Sequence, residues 1–210
     1  MMKRKILSIL LTLAMTLTLL PATAMAEDVK GVQCDGGDGC NHKVAAIYDG
    51  SAGENPGEYH YDTLQAAITN GTNDYYGNFK LLDDVQEDIV VGEGRIAGKY
   101  ITLDLNGHTI TNAKSDTITV QKRGKLTITG SGTVDNVTDG RAPIYNNGTC
   151  TLSGGNYTRS KEAADNTTTS SGGNSYYNIL NHGEMTIGSG VSVTSSGHFS
   201  SLVANGYYDY

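Results

Sequence analysis

The feature that most constrains this sequence is a glycine that returns in the same setting. Gly124-Lys-Leu-Thr-Ile128, Gly148-Thr-Cys-Thr-Leu152 and Gly183-Glu-Met-Thr-Ile187 share one pattern of glycine, any residue, apolar, threonine, apolar. Each follows a polar corner, Lys122-Arg123, Asn146-Asn147 or Asn181-His182, and the corner returns at Asn205-Gly206. These glycines stand 24, 35 and 23 residues apart. A supersecondary unit that repeats at such a period cannot bury its own apolar face, and stacking copies of it can. The long interval marks a coil with an insertion, and residues 159–178, polar and low in complexity, supply it as a loop leaving the stack.

Within each repeat the apolar residues alternate. Leu126 and Ile128, Cys150 and Leu152, and Met185 and Ile187 point one way, while Thr127, Thr151 and Thr186 point the other. With neighbouring strands roughly 4.8 Å apart, stacked coils turn each set into a column. Asn-Gly is also a hairpin signal, so an antiparallel sandwich competes. Hairpins predict strand pairs joined by two-residue turns, whereas this motif returns only after a whole coil. With 27 glycines, 3 prolines and much Thr, Ser and Asn, the composition favours strands and turns. The fold expected is all-β, a right-handed parallel β-helix with a short N-terminal capping helix.

The chain opens on Lys3-Arg-Lys5 followed by an apolar run from Ile6 to Leu20, Pro21 and the small residues Ala24 and Ala26, which is the form of a secretory signal peptide over residues 1–26. Removing it leaves 12 basic against 22 acidic residues, which argues against nucleic acid as a partner. The mature chain then has no membrane span. Residues 27–58 form a Gly- and Cys-containing N-terminal segment. Residues 59–92 form the cap, with a helix started by Asp62 and Gln65 and an apolar face of Leu64, Ala67 and Ile68. Residues 93–210 form the coils. The sequence stops one corner into a new coil, at Asn205-Gly-Tyr-Tyr-Asp-Tyr210, so the expectation is a solenoid truncated at its C-terminus, a monomer or part of a longer chain.

Leu81-Leu-Asp-Asp-Val85 followed by Ile101-Thr-Leu-Asp-Leu-Asn-Gly-His-Thr-Ile110, with a helix before them, resembles the start of the pectin-lyase-like β-helix domains of bacterial secreted and surface proteins. The resemblance covers about residues 42–210. It implies the fold, and leaves lyases, hydrolases, adhesins and stalks all open as activities.

A hydrolase of this kind needs two carboxylates roughly 5 to 9.5 Å apart across a glycosidic bond, and a lyase needs a basic side chain with clustered carboxylates for calcium. Asp104, Asp116, Asp135, Asp139, Glu162, Asp165, Glu184 and Asp209 do not share a repeat position, and Asn106-Gly-His108 reads as a coil corner. The sequence therefore nominates no catalytic residue, cofactor or metal.

For binding, the tyrosine pair Tyr176-Tyr177 at the loop offers flat faces on which sugar rings stack. Lys122, Arg123 and Lys125 form the basic cluster of the coils, suited to an acidic glycan. The threonine column resembles an ice-binding array but breaks at Thr129, Ser153 and Gly188. Cys34 and Cys40 read as a local disulfide in an exported protein, with zinc held by them, His42 and His60 as the alternative. Cys150 shares a core column and reads as a buried thiol. The expected function is adhesion or binding of an extracellular glycan or surface protein. A structural stalk and a polysaccharide-cleaving enzyme are the alternatives.

Overall fold

The computed structural model describes residues 41–53, 55–160, 176–195 and 201–206. Among the described residues the first elements are β1 (Val44–Tyr48), β2 (Gly57–Tyr61) and the helix α1 (Leu64–Asn70), and each later strand belongs to a coil. The first coil is β3 (Tyr76–Leu81), β4 (Val85–Gln86) and β5 (Ile89–Val91), and the second is β6 (Tyr100–Asp104), β7 (Thr109–Thr111) and β8 (Ile118–Val120). The third is β9 (Lys125–Thr129), β10 (Thr133–Asp135) and β11 (Ile144–Asn146). The fourth is β12 (Thr149–Leu152), β13 (Asn156–Thr158) and β14 (Tyr177–Asn181), and the last is β15 (Glu184–Ile187), β16 (Ser192–Thr194) and β17 (Ser201–Asn205). Equivalent strands pair in parallel and in register, so the three sides of the stack are three parallel sheets, each five coil strands deep. The expected parallel β-helix is the fold observed.

Register turns the alternation into columns. Phe79, Leu103, Ile128, Leu152 and Ile187 lie above one another in the first sheet, and Val85, Ile110, Val134, Tyr157 and Val193 in the second. Ile89, Ile118, Ile144, Ile179 and Val203 form the third. Members in the first four coils are at most 3 % exposed, whereas Ile187 and Val203 in the last are 44 % and 42 % exposed. Each coil thus buries the one before it, at about 1.5–3 kcal/mol for a fully covered large aliphatic side chain. Cys150 takes the column of Ile101, Leu126 and Met185 and is buried as expected, and desolvation pushes its thiol up to about 12.

The corner between the third and first sheets explains the repeating Asn-Xaa-Gly. Val120, Asn146, Asn181 and Asn205 share one register position. Asn146 Nδ2 donates to Asn181 Oδ1 at 2.6 Å, and Asn181 Nδ2 donates to Asn205 Oδ1 at 2.5 Å. The same side chains turn the corner, since Gly148 N–H donates to Asn146 Oδ1 and Gly183 N–H to Asn181 Oδ1. Glycine follows because the coils touch there. A Cβ on Gly148 would lie 2.4 Å from the Gln121 carbonyl oxygen, and one on Gly183 would lie 2.2 Å from that of Gly148.

The N-terminal end is covered. β1 runs antiparallel to β3 and β2 antiparallel to β1, so the edge of the first coil strand is covered and the sheet ends instead at β2. Helix α1 seats Leu64, Ala67 and Ile68 on the first coil. The Gln65 amide closes the edge of the third sheet: Val90 N–H donates to its Oε1 at 2.7 Å, and its Nε2 donates to Val90 O at 3.2 Å. Two sequence expectations change here. The helix is capped by Thr63, whose Oγ1 accepts from Ala66 N–H, and by Glu87, whose carboxylate accepts from Leu64 and Gln65 N–H. Asp62, expected as the cap, faces His42 at 2.6 Å. β1, inside the stretch 27–58 read as a separate N-terminal segment, packs with the cap, where Val44, Ala45 and Ala46 are fully buried.

The long interval falls between β13 and β14, although Tyr177 and Asn178, read as part of the 159–178 loop, belong to β14. Ile144 and Ile179 are register partners. Residues 161–175 lie outside the described residues, as do residues 1–26, expected to be a signal peptide, and Cys34 and Cys40.

The corner makes a direct prediction. Gly148→Ala should lower unfolding stability by about 3 kcal/mol, because two backbones must part. Gly140→Ala, at φ +64° with open space around it, should lose only about 1 kcal/mol. Urea denaturation of both variants checks this, and equal losses would show that contact at the corner is not what selects glycine.

Candidate functional site

The outer face of the first sheet is where the repeat concentrates chemistry. Residues that point away from the core fall into three columns by the same register, two of which line a groove. One runs Tyr76, Tyr100, Lys125, Thr149, Glu184, and the other runs Asn78, Thr102, Thr127, Thr151, Thr186. β-branched threonine suits an outward strand position, and at roughly 4.8 Å per coil the four threonines present a row of hydroxyls along the solenoid axis. Between the columns lies an open groove of about 400 Å³ lined by Tyr100, Thr102, Lys125, Thr127, Thr149, Thr151 and Glu184. Tyr100 is 62 % exposed, and the Lys125 ammonium sits 4.1 Å from its ring centroid. Such a contact holds both side chains, at about 0.5–1 kcal/mol for an exposed pair.

The arrangement offers aromatic surface, hydroxyls and one charge of each sign. Lys125 and Glu184 stand two coils apart in their column, and Asp104 belongs to a third column with Lys80 and Thr129. Asp135 lies on the second sheet with Thr111 and Thr158.

The basic residues named from the sequence separate. Lys125 opens β9 and lines the groove, whereas Lys122 and Arg123 are exposed on the corner after β8. Tyr176 and Tyr177 stand elsewhere again, where the chain enters β14, two coils on from β8 and at the starting rather than the finishing end of the third-sheet strands. The sequence's candidate residues therefore make at least two surfaces.

Around Tyr176 the structure assembles groups that the sequence did not connect. The two tyrosine rings are 5.1 Å apart, and the Arg159 guanidinium lies 5.6 Å from the Tyr176 centroid. Arg159 is 1 % exposed and donates from Nε to Arg141 O at 3.0 Å. Below, Asp116 accepts from Ala142 N–H at 2.7 Å, with the Arg141 guanidinium 3.8 Å away. Burial, followed by the charge of Asp116, raises the Tyr176 hydroxyl above its ordinary range. The root of the insertion is thus a packed tyrosine–arginine layer. Arg159 reads in the sequence only as the first residue of a polar loop, and no periodic signal marks it.

At the cap, His42 Nδ1 is 2.6 Å from Asp62 and His60 Nε2 is 2.8 Å from Glu58, so each imidazole engages a carboxylate. Among the described residues no group of three or more His, Cys, Asp or Glu is placed to hold a metal ion. Among them, too, no helix is long and apolar enough to cross a membrane.

Asp116 supplies a pH test. Desolvation raises its pKa, and the Ala142 N–H and Arg141 only partly offset that. A carboxyl that holds its proton more tightly when folded adds stability in acid, and that contribution falls as pH rises through its raised pKa. Asp116→Asn keeps an acceptor for Ala142 and removes the charge. Its melting temperature should match or exceed that of the wild type at pH 7, with the gap closing on acidification. A variant less stable at pH 7 by more than about 1 kcal/mol would show that the Arg141 pair outweighs desolvation.

No family model, curated protein or solved structure matches this chain.

Proposed function

We propose that this protein is an exported β-helix that binds an extracellular glycan along the outer face of its first sheet, in the manner of the pectin-lyase-like surface proteins that its sequence resembles. The observation that carries this reading is the in-register pair of outer columns, Tyr76–Tyr100–Lys125–Thr149–Glu184 beside Asn78–Thr102–Thr127–Thr151–Thr186. A polysaccharide presents apolar ring faces and hydroxyls at regular intervals. A row of hydroxyls beside an exposed tyrosine answers both without moving the backbone. The charged N-terminus and apolar run of residues 1–26 support export, and the acidic mature chain supports a partner other than nucleic acid. Tyr176 and Tyr177, at the root of the 159–178 insertion, form a second contact surface. A rigid stalk is the competing reading, favoured by a stack in which each coil depends only on its neighbours.

The test is binding of the chain from residue 27 to a panel of uronate and neutral polysaccharides and to whole bacterial surfaces. Thr127→Val and Thr151→Val together keep the β-branched shape and remove two hydroxyls, so affinity should fall about tenfold or more at unchanged melting temperature. Deletion of residues 161–175 should leave groove-dependent binding in place. Saturable binding that survives the valine pair and vanishes with the deletion would move the site to the insertion. Absence of saturable binding throughout would leave the stalk.

A further inference from the structure

The cap contains a pocket that the repeat did not foreshadow. In the β1–β2 ladder, Val44, Ala46 and Tyr48 lie opposite Tyr61, Tyr59 and Gly57, so all six positions share one face. Val44 and Ala46 are covered there. Tyr48 stands opposite a glycine, which leaves room beside it, and its ring meets that of Tyr59 edge to face at 5.2 Å and 89°. Tyr61, 5 % exposed, and Thr72, 2 % exposed, lie deepest. Thr72 is held by its Oγ1 donating to Ile68 O. Asn73 is fixed by accepting from Tyr75 and Tyr76 N–H at 2.8 Å each. Asn55 and Asn70 add amides, and Arg95, on the single 3-10 turn Gly94–Ile96, adds a guanidinium. The pocket is half open to solvent and has a volume of about 330 Å³.

We infer that this pocket binds a single pyranose ring, at the end or on a side branch of a glycan. Its volume lies at the small end of the range of about 300–1,000 Å³ typical of small-molecule sites, which suits one ring and not a chain. Three tyrosines provide flat apolar surface for a sugar's C–H face. Asparagine amides, which both donate and accept, together with a guanidinium, match vicinal hydroxyls. The pocket walls come from β1, β2 and the exposed loop between them, the end of α1 with the turn after it, and the 3-10 turn; the tyrosine wall stands on strands packed against the first coil, which limits the ordering a ligand must impose. This inference rests on the reading of the protein as a glycan binder but places a second, separate site at the other end of that reading's chemistry.

The experiment is calorimetric or saturation-transfer titration of the mature chain with the methyl glycosides of glucose, galactose, mannose and N-acetylglucosamine, with cyclohexanol as an apolar control. At least one glycoside should bind, and Tyr48→Leu and Asn55→Ala should each weaken it about tenfold. The Thr127→Val and Thr151→Val pair should leave it unchanged. Asn55 is exposed in a hairpin loop, so its variant separates loss of contact from loss of fold, and thermal melting monitors both variants. No glycoside binding up to millimolar concentrations, binding indifferent to both cap variants, or preferential uptake of cyclohexanol would each overturn the inference. Polysaccharide binding that persists through any of these results would leave the groove reading standing. Failure of both polymers and glycosides would remove both.

Discussion

Contact between coils at the Asn-Xaa-Gly corner is the constraint from which the rest of this structure follows. Parallel strands paired through their backbones lie roughly 4.8 Å apart. The turns joining them must stack at that same spacing. At Gly124, Gly148 and Gly183 the turn comes so close to the coil below that a single added carbon would meet a carbonyl oxygen within 2.6 Å or less. At Gly148 and Gly183 the asparagine two residues earlier makes the turn and bonds to its counterpart in the next coil, so one residue satisfies the backbone locally and ties coils together. Buried amides that are fully paired in this way specify register more than they add stability.

Once register is held, the two sides of every strand acquire their roles together. The inner positions become continuous columns of Ile, Leu, Val and Phe that are at most 3 % exposed through the fourth coil. The outer positions become a lattice whose chemistry varies slowly from coil to coil, which is how a small set of Thr, Tyr and Lys residues becomes a groove. A one-residue slip would exchange the two sets, so the corner that protects the core also fixes the binding face. The first coil needs a different solution, because among the described residues no other coil stacks beneath it. Antiparallel strands, a seven-residue helix and the side-chain amide of Gln65 supply the missing partners, and the irregularity of that assembly opens the tyrosine-lined pocket.

The coils were legible because their signal is periodic and local. Leu126, Cys150 and Met185 announce one column by spacing alone, and the 35-residue interval announces the insertion. The cap was only half legible. Leu64, Ala67 and Ile68 display the buried face of a helix, but its true cap includes Glu87, 23 residues from Leu64 and visible only once β4 and β5 bring it back. β1 carries no repeat motif, so Val44 to Tyr48 passed for linker. Arg159 is harder still. A charged residue next to a polar loop gives no sign of burial, and its place was settled by Tyr176 and Arg141, which the insertion and the coil period carry to the same corner.

The sequence by itself determined a stack of parallel coils, its period, the identity of its inner and outer columns and the site of its insertion. Each follows from alternation and recurrence over a few residues. Tertiary structure alone decided which side chains from different coils share a surface. It set Lys125 over Tyr100, kept Lys122 and Arg123 away from Tyr176 and Tyr177, and gathered Tyr48, Tyr59, Tyr61 and Arg95 around one pocket. The physical reason is that these neighbours are set by strand register and by the packing of cap on coil, and those depend on contacts between segments distant in sequence.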